Sequence, residues 1–477
     1  MSNSTSTPTP TPTSTSTSVS TELRHGIHWA RAQALLQREV AAFTARNPRS
    51  RALSDRAQAH LLFGVPLHWM TDWGTPFALQ VAQAQGARLH DVDGHTLVDF
   101  CLGDTGAMFG HSPPVVAQAL ARQAAQGMTA MLASEDAAVV GELLSARFGL
   151  SHWQFAMTAT DANRYVLRWL RAASGRSKLL VFNGCYHGTI EDVFVDLVDG
   201  VPTQRDSLLG QVHDLTAHTV VGEFNDLAAL EAALAKGDVA CVLAEPAMTN
   251  IGMVLPEPGF WEAVQTLTRR YGTALVLDET HTISCGPGGY CGAHGLQPDA
   301  MVLGKPLGGG LPCAAYGFSD AWAARVVQAK RDAPPGHSGI GTTLSGNLLA
   351  MAAMRATLES LMTFAVFAPM LATATLLADG LRQCIARHRL PWCVTQLGAR
   401  TEFQFRAVPP RNGSEAGAAL DSELEHLIHL ALLNRGVMIT PFHNMMLICP
   451  DTQPDDVQTL LAAFDEVLGL ISFNAAP

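Results

Sequence analysis

Apolar and polar positions change rhythm three times along the chain. From residue 24 to 62 they recur at helical spacing through "HWARAQALLQREVAAFTARNPRSRALSDRAQAHLL", interrupted at Asn47-Pro48. "FGVPLHWMTDWGTP" then reads as an aromatic-rich loop, and "ARLHDVDGHTLVDF" as two short strands around Asp93-Gly94. From about 113 to 345, helical text such as "PPVVAQALARQAAQGM" and "DLAALEAALAKG" alternates with the apolar runs "KLLVFNG", "VACVLAEP", "TALVLDET" and "AMVLGK". Strands this apolar need cover on both faces, which predicts a mostly parallel sheet flanked by helices. After a long helix beginning near Ser345 the text becomes mixed. "CVTQLGARTEFQFRA" and "GVMITPFHNMMLICP" read as strands, and "DSELEHLIHLALLNR" and "PDDVQTLLAAFDEVLGLI" as helices, predicting a smaller α+β domain.

This pattern divides the chain into a tail (1–21), an N-terminal segment contributing to the small domain (22–100), a large α/β domain (101–345) and the rest of the small domain (346–477). The tail, "MSNSTSTPTPTPTSTSTSVST", cannot bury apolar area and is expected to be disordered; it lacks the composition of a secretion or transit signal. Hydrophobic residues make up 48% and charged residues 15% of the chain, a globular balance. A net charge of −11 with no Lys/Arg run gives no electrostatic case for a nucleic-acid partner. No apolar segment reads as long and uninterrupted enough to span a membrane. The nine cysteines form no CxxC pair, so neither a disulfide framework nor structural zinc is expected, and a reducing cytoplasm is the default.

In open parallel sheets, functional groups gather just past the carboxyl ends of the strands. Here those positions carry Thr158 and the turn into a helix near Asp161, then Tyr186 and His187, Glu245 and Asn250, Asp278, and Lys305. Lys305 is not a P-loop lysine: Asp299 stands where the first glycine is needed and Pro306 where Ser/Thr is needed. A lysine between an apolar strand and a glycine loop is partly desolvated, which favours the free amine and hence imine formation with a carbonyl. Pyridoxal phosphate (PLP) would need three further parts: a carboxylate on its ring nitrogen, an aromatic face and a helix N-terminus for its phosphate. Asp278, Tyr186 and the Ala159–Thr160 turn can supply them. Taken singly, such a lysine is usually solvated or salt-bridged and such an Asp is usually a helix cap; the ordered set argues otherwise.

Over roughly residues 55 to 470 the chain resembles the class III PLP-dependent aminotransferases, in the subgroup of glutamate-1-semialdehyde aminomutase and β-amino-acid transaminases. "TATDAN" stands at the family's phosphate turn, "CYHG" at its ring-stacking motif and "AEPAMTNIGMVLP" at its Glu-Pro segment. "LDETHT" stands at the ring-nitrogen aspartate, "LGKPLGGGLP" at the lysine, and "GTTLSGNLLAMAA" at the loop that reaches the neighbouring subunit. The resemblance implies PLP fold type I and a homodimer with active sites at its interface. It implies an internal aldimine on Lys305, which then shuttles the α-proton in a ping-pong cycle. Asp278 would pair with the pyridine nitrogen and Tyr186 would stack on the ring, within a cofactor site that also includes His187 and Glu245. Ala159 and Thr160 would bind phosphate, joined by Thr343 from the partner chain. Departures from the family pattern are Ala159 for glycine, Asp161 for glutamate, Thr280 for valine, Thr342 for glycine, and Pro306.

Arg400, in "QLGARTEFQFR", stands where similar enzymes bind a substrate carboxylate, for which a planar guanidinium is suited; a surface-strand arginine is the plain alternative. Similar aminomutases carry an arginine soon after an N-terminal Gly-Val. Here "FGVPLHWMTDWGTPF" has none, and Leu67, His68, Trp69 and Trp73 give it a bulky aromatic character. If that loop lines the pocket, it favours an intermolecular transaminase for aromatic or β-amino acids over an intramolecular aminomutase; otherwise its aromatics staple the N-terminal segment to the body.

Overall fold

The computed structural model describes residues 23–473; the tail expected to be disordered lies outside them. Its centre is a seven-stranded sheet. The strands are β1 (His152–Ala156), β2 (Lys178–Phe182), β3 (Thr219–Gly222), β4 (Val239–Ala244), β5 (Ala274–Asp278), β6 (Ala300–Leu303) and β7 (Ala314–Phe318), in spatial order β3-β2-β4-β5-β6-β7-β1. β3, β2, β4, β5 and β6 are parallel, and β7 runs antiparallel to both β6 and β1. Two reversals leave β1 pointing the same way as β5 and β6. Thr158, Asp278 and Lys305 therefore meet at one edge.

β4 to β7 are buried along their whole length, as their unbroken apolar text requires. The helix Ala159–Ser174 turns Ala162, Tyr165, Val166 and Leu170 into the core at helical spacing and stops at Gly175 in the left-handed conformation. β3, β7 and the hairpin of Val195–Val198 with Val201–Gln204 were not among the strands predicted by pattern.

The helical expectation for residues 24 to 62 resolves into the helices Trp29–Arg46 and Pro48–Gln58, divided at Asn47-Pro48, after a short antiparallel pair of Leu23–Arg24 with Ile27–His28. The Asp93-Gly94 turn joins Arg88–Asp91 to Thr96–Asp99, and Val437–Met438 adds to the latter in parallel. The N-terminal hairpin thus shares a sheet with the C-terminal region. "CVTQLGARTEFQFRA" is a hairpin, Cys393–Leu397 with Arg400–Gln404, and Met445–Leu447 forms its third strand. It turns at Gly398, where φ is +59° and a Cβ would stand 2.4 Å from the Ser284 carbonyl oxygen. That close approach ties the arginine's hairpin to the segment following Asp278.

Two expectations are corrected. The long helix near Ser345 is two helices, Leu348–Ser360 and Phe364–Arg387, because Thr363 caps the second by accepting from the Val366 N–H. The second, with 24 residues, is long and apolar enough by length and composition to cross a bilayer. In this fold it packs along Pro454–Ile471 and buries Phe367, Met370, Leu377 and Leu381.

Candidate active site

β5 ends on Asp278, and β6 leads through Gly304 into Lys305, so two neighbouring parallel strands deliver a carboxylate and an amine to one cavity of about 280 Å³. Ala159, Thr160, Tyr186 and Glu245 line the same cavity. Lys305 has φ +38° and opens a short 3-10 turn, Lys305–Gly308. Pro306 sits in the first turn, where a missing N–H costs nothing and a fixed φ stiffens the lysine's own backbone. Pro306, unusual for the family, thereby acquires a local structural role.

The phosphate-turn text forms the start of Ala159–Ser174, with Thr158 Oγ1 accepting from the Asp161 N–H at 3.2 Å. Gly188 passes so close that a Cβ there would stand 2.1 Å from Thr160 Oγ1. Thr160 Oγ1 also accepts from the Thr189 N–H at 3.2 Å. This pinned, N–H-rich helix start suits an anion.

Asp278 is held from three directions. Asn163 Nδ2 donates to Oδ2 at 2.8 Å, and His187 Nδ1 lies 3.0 Å from the same oxygen. Thr280 donates to Oδ1 through its N–H at 3.1 Å and its hydroxyl at 2.6 Å. Burial works against ionisation of Asp278, but His187, Thr280 and Asn163 outweigh it and hold the carboxyl below the usual range. His187 is buried too, which disfavours its charge; its bond to Asp278 prevails and raises it to about 10. A fixed anion thus faces the cavity. Glu245 is pushed up by burial, although Thr249 and Asn250 donate to it.

Lys305 Nζ lies 2.8 Å from Asp104 Oδ2 and 2.6 Å from His281 Nε2. Behind His281, Arg400 Nη2 lies 2.5 Å from Nδ1 and donates to Thr105 Oγ1 at 2.6 Å. Burial opposes ionisation of Asp104, yet the positive charge around it, Lys305 first and Arg400 with it, holds its carboxyl far below the usual range. His281 is pushed well below the ordinary imidazole range, first by burial and then by Lys305.

The structure therefore brings Lys305, Asp278, Tyr186, Ala159, Thr160 and Glu245 to one cavity, with His187 directly behind Asp278. Three expected site residues stand apart within this chain. Arg400 is 1% exposed and lies behind His281 rather than on the cavity wall. Thr343 is exposed, and Trp69 is 40% exposed with the exposed Leu67 beside it. Trp73, by contrast, packs into a small core with Phe43 and Leu430 and meets His429 edge-on. Asp104, Asn163 and His281 were not singled out from sequence. Asn163 and His281 lie inside quoted motifs, and Asp104 lies in "LGDTG", whose Asp104 and Thr105 both have positive φ.

The residues present fit PLP. Lys305 and the Asp278 anion share the cavity, Tyr186 offers a ring face, and the Ala159–Thr160 turn with Gly188 lines the same space. The sequence profile of the Aminotransferase class-III family matches residues 69–468. The chain is a class III aminotransferase. As an enzyme of this family it uses PLP on fold type I. It is similar to a glutamate-1-semialdehyde aminomutase from Pseudomonas aeruginosa PAO1, a lysine-to-alanine variant in complex with PMP. That likeness has 48% identity and a TM-score of 0.91, covering 94% of this chain and 100% of the other. It is 33% identical to glutamate-1-semialdehyde 2,1-aminomutase of Desulfitobacterium hafniense (strain Y51), over 82% of this chain and 91% of the relative. A β-phenylalanine aminotransferase from Variovorax paradoxus is 25% identical with a TM-score of 0.81, covering 92% and 97%.

Proposed function

We propose that this class III aminotransferase moves an amino group from an amino acid or amine donor to a keto acid or other carbonyl acceptor in two half-reactions. Its substrates carry a carboxylate and an apolar or aromatic body. One observation carries this reading: Lys305 and the Asp278 anion converge on one cavity from neighbouring strands. When bound, PLP supplies an aldehyde that takes up an amine and a ring that draws electrons from the donor's α-carbon. Lys305 anchors the cofactor and then carries the proton to and from that carbon. Asp278, backed by His187, holds the ring nitrogen protonated, and Tyr186 covers the ring face. Ala159 and Thr160 bind the phosphate, joined by Thr343 of a second copy in a homodimer. Glu245 lines the same cavity, and Arg400, buried behind His281, would take the substrate carboxylate only by exchanging its contact with His281. Trp69 stands apart from the cavity within this chain and is the expected apolar contact from the exposed N-terminal loop. Residues 22–100 and 346–477 form the small domain beside the 101–345 body.

A second reading is intramolecular amino transfer of the glutamate-1-semialdehyde 2,1-aminomutase kind, favoured by the names of the relatives at 48% and 33% identity. The N-terminal loop, without an arginine between Phe63 and Phe77, favours the first. Purified enzyme is offered α-, β- and ω-amines, and conversion of the cofactor band is followed. With one substrate and no acceptor, a transaminase stalls after one half-reaction, whereas steady turnover of glutamate semialdehyde establishes the mutase. A Lys305→Ala protein that keeps the wild-type cofactor band would overturn the assignment of Lys305.

A further inference from the structure

The helix Ala159–Ser174 fixes more than its own first turn. Exposed on its surface, Arg168 donates to two successive carbonyls of the loop 333–347, from Nη1 to Gly339 and from Nη2 to Ser338 at 2.8 Å. On the same face of the helix, the Tyr165 hydroxyl bonds to the Gly341 backbone. Between these two points Ile340 packs against the core that the helix builds. The loop joins the helices Asp320–Asp332 and Leu348–Ser360, and Gly336, Gly339, Gly341 and Gly346 within it all have positive φ. A stretch so free in the unfolded chain needs contacts to fix its shape. At Gly339 the fit is closed: φ is +69°, and a Cβ would stand 2.8 Å from Arg168 Nη1. Past this clamp the loop turns back on itself. The Ser345 N–H donates to the Thr342 carbonyl at 3.0 Å. Asn347 Nδ2 donates to the Leu344 carbonyl at 2.9 Å, and its side-chain oxygen caps the next helix. Thr343 and Leu344 are left exposed at the tip.

We propose that Arg168 is a positioning residue for the phosphate site of a second copy: it clamps the loop so that Thr343 is presented in one fixed place. A guanidinium suits this task, because its planar fork reaches two neighbouring carbonyls at once and each bond is charge-assisted. The inference rests on the reading of Thr343 as a phosphate contact given to a partner chain. It adds that this contact is built by the same helix whose first turn, Ala159 and Thr160, lines the chain's own cavity. Each phosphate in a homodimer is then held by two such helices. One acts directly through its N-terminus, the other through Arg168 and the loop. Loosening the clamp in one chain therefore weakens phosphate binding in the other.

The test reads cofactor affinity and not turnover. Pyridoxamine phosphate and pyridoxamine, which differ only in the phosphate, are bound to the full chain and measured by equilibrium dialysis. Arg168→Met keeps the aliphatic stem and removes the fork. It should weaken pyridoxamine phosphate about tenfold, the worth of one charge-assisted bond, and leave pyridoxamine within about twofold of wild type. A change that merely loosened the fold would weaken both. Thr343→Val should show the same phosphate-specific loss. Arg168→Met combined with Thr343→Val should be no worse than Thr343→Val alone, since the clamp acts through that hydroxyl. Three results would each overturn the role of Arg168 while leaving the reading of Thr343 in place: equal weakening of both ligands in Arg168→Met, no weakening in Arg168→Met beside a loss in Thr343→Val, or additive losses in the pair. Wild-type affinity in Thr343→Val would overturn that reading and the proposal with it. If Arg168→Met does not fold, Arg168→Lys, which keeps the charge and loses the fork, carries the test, and pyridoxamine phosphate held as tightly as by wild type overturns the proposal.

Discussion

Gly304 and Ala159 face each other so closely that a Cβ on Gly304 would stand 2.8 Å from the Ala159 Cβ. The lysine strand and the phosphate turn are therefore packed through their smallest possible side chains. Gly304→Ala should overpack this seam by about 1–3 kcal/mol and loosen the cofactor, measured as a lower melting temperature and faster loss of the cofactor band on dilution. Ala159→Gly in the same chain should restore much of both, since it removes the atom that Gly304→Ala strikes. A double-mutant cycle with no coupling would separate the two elements.

The Asp278–His187 pair makes a second prediction. Asp278→Asn keeps the shape but removes the anion that raises His187 to about 10, and its amide NH2 must face a donor, Asn163 on one side or Thr280 on the other. It should lower kcat by about 100-fold or more while leaving the fold intact, because the loss falls on charge stabilised during reaction rather than on packing. Steady-state kinetics beside a thermal melt checks this, and an unchanged kcat would remove Asp278 from the cofactor's electronics.

The body of this enzyme was legible where apolar text ended in a chemical group. Asp278, Tyr186 and Lys305 were readable because parallel strands buried on both faces have apolar sequences and functional ends. The lysine's surroundings were not, because they are assembled across long separations. Asp104 lies 201 positions from Lys305 and Arg400 lies 119 from His281, brought together by a tight turn and by the Gly398 approach. His281 stood inside a quoted motif, yet only the folded chain brings Arg400 and Lys305 to its two nitrogens. Trp69 and Trp73 are alike in sequence; only packing distinguishes the half-buried one from the exposed one.

Arg400 makes a third prediction, for substrate binding. Arg400→Met should raise KM for carboxylate-bearing donors by about 10- to 100-fold, in proportion to a lost charge-assisted contact of about 1.5–3 kcal/mol. It should change KM for a simple aromatic amine without a carboxylate far less. Steady-state kinetics on the matched pair of donors checks this, and equal effects on both would assign Arg400 to His281 alone.

Glu402 lies on the same strand as Arg400, is fully buried, and has no hydrogen-bond partner on either carboxylate oxygen among the described residues. Burial raises it to about 8, the Arg400 guanidinium 3.9 Å away only partly offsetting this, against 4.5 for an ordinary glutamate. Its folded value lies above its unfolded one, so its contribution is fully present below about pH 4.5 and is lost as pH rises through about 8. Across that window the native state holds a proton that the unfolded chain has released, and stability falls by on the order of 1.4 kcal/mol per pH unit from this group. Glu402→Gln cannot ionise and removes that slope. The variant's melting temperature, measured beside wild type, should therefore gain on it steadily from pH 5 to 8 and run parallel above pH 9. A constant offset across the whole range would mean that Glu402 is already ionised in the folded enzyme.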